Sequence, residues 1–106
     1  MPDYFLTHEE EVLETSRGYI IKLSLLSKRF YIKKATEFPE NYKFSWIAFN
    51  IDNPDERVLF DNHPGKPPHY HIDKKPSVYF KWISLAASRK LFFQKVYERF
   101  GYFDYE

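Results

Sequence analysis

The sequence predicts an α+β fold: an antiparallel β-sheet of four to five strands with a C-terminal α-helix packed on one face. Three observations predict it. The first two-thirds of the chain reads as short strands, with a period of two in segments such as 19–25 and 42–48. Turn residues punctuate that part at short intervals. The C-terminal part then changes to a helical period. A length of 106 residues suits a single domain, 1–106, built on one core.

Residues 9–15 and 19–26 read as strands flanking Ser16-Arg17-Gly18, a turn whose glycine can take a positive φ. In the second strand Tyr19, Ile21, Leu23 and Leu25 share one face. Residues 29–35 read as either a further strand or an irregular bend. Phe38-Pro39-Glu40-Asn41 interrupts the pattern. Tyr42, Phe44, Trp46 and Ala48 then alternate with Lys43, Ser45, Ile47 and Phe49; bulk on both faces marks a central strand. Asp52-Asn53-Pro54-Asp55 signals a turn before a short strand at 57–61. Residues 62–77 hold four of the seven prolines and a glycine, so they read as a long loop, neither helix nor regular central strand. Such loops are often functional. Residues 78–82 supply a last strand.

Ser84 is placed as a helix N-cap and Gly101 as the C-terminal stop. Between them Leu85, Phe92 and Val96 lie on one side of a 3.6-residue period. Ala86, Phe93, Tyr97 and Phe100 widen that stripe, with Trp82 if the helix reaches it. Lys90, Gln94, Lys95 and Glu98 face away. An amphipathic helix of this kind packs on a sheet. Arg89 projects between the two apolar rows. It either pairs with a structural carboxylate or reaches an anion-binding site near the histidines.

Composition narrows the function classes. Hydrophobic residues make up 43%, enough for a packed core and against wholesale disorder. Eleven Phe, nine Tyr and two Trp exceed what a core of this size needs, so some rings are expected at the surface, free to stack or bind. Without cysteine there is no disulfide framework and no thiolate metal site. No basic, apolar leader and no membrane-length apolar run is visible, so the expected location is cytoplasmic with no membrane partner. A net charge of +1 argues against an obligate nucleic-acid coat. The charge is uneven: Glu9, Glu10, Glu11 and Glu14 crowd the start, Lys28, Arg29, Lys33 and Lys34 follow, and Lys66, Lys74, Lys75 and Lys81 surround the histidines.

His63, His69 and His71 fall within nine positions, flanked by Asp61 and Asp73. Histidine is the side chain best suited to proton transfer near neutral pH. An extended backbone around Tyr70 would project His69, His71 and Asp73 to one side. Three readings follow. The histidines act as general acid and base on a phosphodiester, with Lys66, Lys74 and Arg89 supplying charge and exposed rings stacking bases. Or they hold a divalent metal with Asp61 or Asp73; a His-x-His pair alone is weak evidence for that, and no cofactor is expected. Or the segment is structural or binding, with Asp61 and Asn62 capping turns and Tyr70 in the core. In the first reading His69 and His71 form the acid/base pair, His63 and Asp61 orient them, and Lys66 or Arg89 binds phosphate.

The order of these residues resembles a known family. Val58-Leu59-Phe60-Asp61-Asn62-His63-Pro64, a short Gly/Pro/Lys loop, and His69-Tyr70-His71-Ile72 are similar to the TumE-type toxins of prokaryotic toxin–antitoxin operons. The aromatic run Tyr42-Lys43-Phe44-Ser45-Trp46 and a closing helix from Trp82-Ile83-Ser84-Leu85 to Arg99-Phe100-Gly101 fit the same likeness. Members often carry a His-His-Lys-His type of sequence where this chain has Pro68-His69-Tyr70-His71. The resemblance implies a cytoplasmic toxin-like protein with an antitoxin partner. Ribonuclease action is inferred from the residues, with RNA as the partner. The alternative is a non-enzymatic module that binds protein or nucleic acid through surface rings and the proline-rich segment. A homodimer formed through an edge strand is a further expectation.

Overall fold

The period of two decides which face each strand residue takes, and short turns join the strands except where residues 31–41 intervene. In the computed structural model, which describes residues 2–105, the result is one antiparallel sheet in chain order. Its strands are β1 (Tyr4–Glu14), β2 (Ile20–Phe30), β3 (Tyr42–Asn50), β4 (Asn53–His63), β5 (Lys66–Ile72) and β6 (Val78–Tyr79). A single helix, α1 (Leu85–Phe100), crosses one face. The class and the C-terminal helix are as expected, but the sheet has six strands rather than four or five. Residues 31–38 form an irregular bend, not a strand.

The extra strand is the correction that matters. Residues 62–77, expected as a loop, contain β5. Two prolines are accommodated because the ladder to β4 is broken where they lie. His63 pairs with Lys66 and Asp61 with His69, with a register shift between them. Pro67 and Pro68 sit in that gap, where no N–H is required. The turn Pro64-Gly65 closes the hairpin, and Gly65 takes a φ of +84°, a Pro-Gly turn geometry.

The covered face buries Ile21, Leu23 and Leu25 of β2, Phe44, Trp46 and Ala48 of β3, and Val58 and Phe60 of β4. Phe92, Val96 and Phe100 of α1 press onto them. Phe92 meets Phe60 edge to face at 5.3 Å and Trp46 at 6.0 Å, the arrangement that aromatic quadrupoles favour. Most of the rings are therefore spent on this face. Those left outside include Phe5, Tyr31, Tyr79 and Tyr102.

The helix ends follow the capping residues. Ser84 Oγ accepts the Ala87 N–H at 3.0 Å. Gly101 closes the other end at φ +101°, where a Cβ would lie 2.8 Å from Ser16 Oγ, so only glycine fits. The Thr15 hydroxyl donates to the Phe100 carbonyl at 2.5 Å. Arg99 ties the helix to the far strands through Asp73 (3.1 Å) and Glu56 (3.1 Å). Asp73 has left the extended conformation (φ +54°). Its carboxylate is thus committed to Arg99 and to the Arg57 N–H, not to a set with His69 and His71. Among the described residues no helix is long and apolar enough to cross a membrane.

Candidate functional site

Phe60 and Tyr70 are cross-strand partners stacked on the covered face, at 4.9 Å. Their neighbours must therefore point to the opposite, open face. This places Asp61 of β4 beside His69 of β5, and Leu59 beside His71. His63 ends β4 and pairs with Lys66. Five of the six predicted site residues, Asp61, His63, Lys66, His69 and His71, thus gather at one hairpin. The ring of His69 lies 6.1 Å from that of His63 and 5.2 Å from that of His71, perpendicular to both.

The three imidazoles share one device. His63 Nδ1 meets the Pro64 carbonyl (3.2 Å), His69 Nδ1 the Pro67 carbonyl (2.8 Å) and His71 Nδ1 the Lys75 carbonyl (3.0 Å). A carbonyl only accepts, so each Nδ1 carries the hydrogen and each Nε2 is left for other work. The Nε2 atoms differ. That of His71 accepts from the Ser77 hydroxyl at 3.2 Å. His63 is exposed, and among the described residues its Nε2 meets no partner. That of His69 lies 2.8 Å from Asp61 Oδ1.

The His69–Asp61 contact is the unusual one. His69 is 1% exposed. Burial holds its pKa below the ordinary value, outweighing the Pro67 carbonyl and the Asp61 charge, while Lys66 and His71 push it further down. Asp61 Oδ1 is buried and no well-directed donor reaches it, although Nε2 is so close. The Nε2–Oδ1 approach is thus close without being aligned as a hydrogen bond. The pair reaches solvent through the Asp61 side chain, which is 26% exposed.

Asn62 does something other than cap a turn. It is fully buried. Its Oδ1 accepts the Phe44 N–H, and its Nδ2 donates to the Glu37 and Tyr42 carbonyls, all at 3.0 Å. It replaces the ladder where β4 parts from β3, giving partners to the Phe44 N–H and to the Glu37 and Tyr42 carbonyls. The flanking Asp61 and His63 are fixed as a result. Lys43 Nζ donates to the Asn62 carbonyl at 2.9 Å, adding a cation to this corner. A backbone hydrogen bond at Gly65 holds the Glu37 carboxyl below its usual range.

Arg89 is elsewhere. It lies on α1, on the covered side, where its Nη2 donates to Glu9 Oε1 of β1 at 3.0 Å and its Nη1 to Oε2. The Tyr105 hydroxyl donates to the same carboxylate at 3.2 Å. β1 is four strands away from β5, so the structure does not bring Arg89 to the histidines. Residues that the sequence did not single out are Tyr79, Ser77, Lys43 and Ser45. Tyr79 pairs with His69, its ring 5.6 Å away and 55% exposed. Ser45 stands opposite Asp61 on β3; the alternation of β3 carried that signal, whereas the two-residue β6 carried none.

Among the described residues no three His, Asp or Glu side chains converge as metal ligands. The chain matches no family model, no curated protein and no solved structure.

Proposed function

We propose that the open face of the β4–β5 hairpin cleaves RNA by metal-independent acid/base chemistry. The observation that supports it most is the close approach of buried His69 to Asp61, whose Oδ1 no donor satisfies, beside the unengaged Nε2 of His63. Asp61, backed by His69, takes the proton of a ribose 2′-hydroxyl as its oxygen attacks phosphorus. The P–O5′ bond breaks, and imidazolium His63 gives its proton to the departing oxygen. The products are a 2′,3′-cyclic phosphate and a free 5′-hydroxyl. Lys66 and Lys43 hold the phosphate charge. His69, being buried, positions and charges Asp61 rather than touching RNA, and His71 is a positioning neighbour tied to Ser77. This alters the roles first assigned to His69 and His71 but keeps the same cluster.

The toxin resemblance, carried by residue order, bears on partners rather than on the chemistry. It would make an antitoxin encoded next to this gene a partner, and the unpaired edge of β1 offers a place for a second copy. A second reading also has an observation behind it. His69 and His71 use both ring nitrogens within the fold, as they would in a binding surface that does no chemistry.

One experiment divides these. Single-stranded RNA is incubated with the protein in EDTA, and the products are checked for a 2′,3′-cyclic phosphate. His63→Ala and Asp61→Asn should each slow cleavage by about 10²- to 10⁴-fold. DNA, lacking the 2′-hydroxyl, should survive. Loss of cleavage in EDTA, or undiminished cleavage by His63→Ala, would overturn the mechanism; RNA binding without cleavage would favour the binding surface.

A further inference from the structure

The helix covers only part of its face of the sheet. Beyond its first turns, β1, β2 and β3 leave a cleft of about 600 Å³, within the range of roughly 300–1,000 Å³ typical of small-ligand sites. It lies on the face opposite the histidines and stands independently of the RNA reading.

Its chemistry is selective. The floor is aromatic: Trp46, 1% exposed, and Tyr42. Phe5 and Tyr31, each 64% exposed, stand at the mouth. Three charged groups line it. Glu9 and Arg89 neutralise each other. Arg29 is the remainder: its guanidinium lies 5.1 Å from the Tyr42 ring centroid, and among the described residues no carboxylate pairs with it. A second donor stands beside it. Ser27 Oγ accepts the Trp46 indole N–H at 2.9 Å, which leaves its own hydroxyl hydrogen free to donate. Ser27 and Arg29 are two apart on one strand, so both project into the cleft. Two donors, one surplus positive charge and an aromatic floor call for an acceptor-rich anion on a flat apolar body.

We infer that this cleft binds a small aromatic anion, a planar ring bearing one carboxylate or phosphate group. The anionic group meets Arg29 and the Ser27 hydroxyl, and the ring lies over the aromatic floor.

The test is an amide NMR titration of the full chain with three probes: 1-naphthoate, 1-naphthyl phosphate and the neutral 1-naphthalenemethanol. Either anion should shift the amides of Thr7, Ser27 and Arg29 and the Trp46 indole N–H. It should bind at least about tenfold tighter than the alcohol, and the two anions rank the head groups. Arg29→Met, at an exposed position, should bring all three probes to the affinity of the alcohol, while Arg29→Lys retains part of the preference. Equal binding of the alcohol, no effect of Arg29→Met, shifts confined to residues 61–71, or no binding at millimolar probe would each overturn the inference.

Discussion

β4 and β5 bring a cross-strand pair of side chains together on each side of the sheet. On the covered side Phe60 and Tyr70 stack and meet Phe92 and Phe80. On the open side their immediate neighbours Asp61 and His69 face each other. Burying the first pair is favourable by itself, because apolar area leaves water and rings gain contacts. Burying the second is not: an imidazole is desolvated, and a carboxylate oxygen lacks a donor. One step along the backbone separates a stabilising burial from a costly one. Costly polar burial next to an exposed histidine is the pattern of a site rather than of a core.

The largest effect that separates the two sides comes from adjacent residues of β4. Phe60→Ala should lower stability by about 3–5 kcal/mol, since the ring is fully buried. Leu59→Ala, half-buried on the open face, should cost about 1 kcal/mol. Urea denaturation measures both. Equal losses would mean that the open face is a second core, and the distinction would fall.

The fold was legible where pattern and punctuation agreed. The alternation of Tyr42–Asn50 gave a central strand, and Ser84 and Gly101 gave the helix its ends. Legibility failed at β5, because Pro67 and Pro68 forbid a strand only where the ladder needs their N–H groups. A bulge at Asn62 is a pairing property that no local window contains. The site was half legible. The spacing of His69 and His71 put them on one face, and their pairing with β4 added Asp61 and His63. Arg89 could not be placed from the sequence, since its partner Glu9 is 80 residues away in the chain. Nor could the burial of His69, which depends on Tyr79 and the irregular hairpin around it.

A smaller effect should appear as the pH is lowered, and each face has its own step. The pKa of His69 is held below its ordinary value of 6.5. Between those two values the unfolded chain binds more protons than the folded one. Stability therefore rises with pH across that window, and acidification from about pH 6.5 removes it. Glu9 is the opposite type of group: Arg89 holds its carboxyl below 4.5. Its contribution is present above that value and is lost as the pH falls through it toward the folded pKa. Urea midpoints from pH 8 to pH 3 should show an upper step that His69→Gln removes and a lower one that Glu9→Gln reduces. An upper step that persists in His69→Gln would place the sensitive group elsewhere.

The smallest expected effect concerns Arg89, and it tests whether the two faces are independent. Its pair with Glu9 is about one-third exposed on the Arg side, at 34%, so solvent screens it. Arg89→Met should cost only about 0.5–1 kcal/mol, part of it lost packing against Phe93, whose ring centroid is 5.5 Å from the guanidinium. The proposed RNA cleavage should stay within about twofold of the parent, because the side chain lies across the sheet and four strands from His69. A drop in cleavage at unchanged stability would return a phosphate-binding role to Arg89. It would also mean that the sheet couples its faces, since no direct contact joins Arg89 to the hairpin among the described residues. An unchanged rate is what the proposal expects, since it assigns the phosphate to Lys66 and Lys43 on the histidine side.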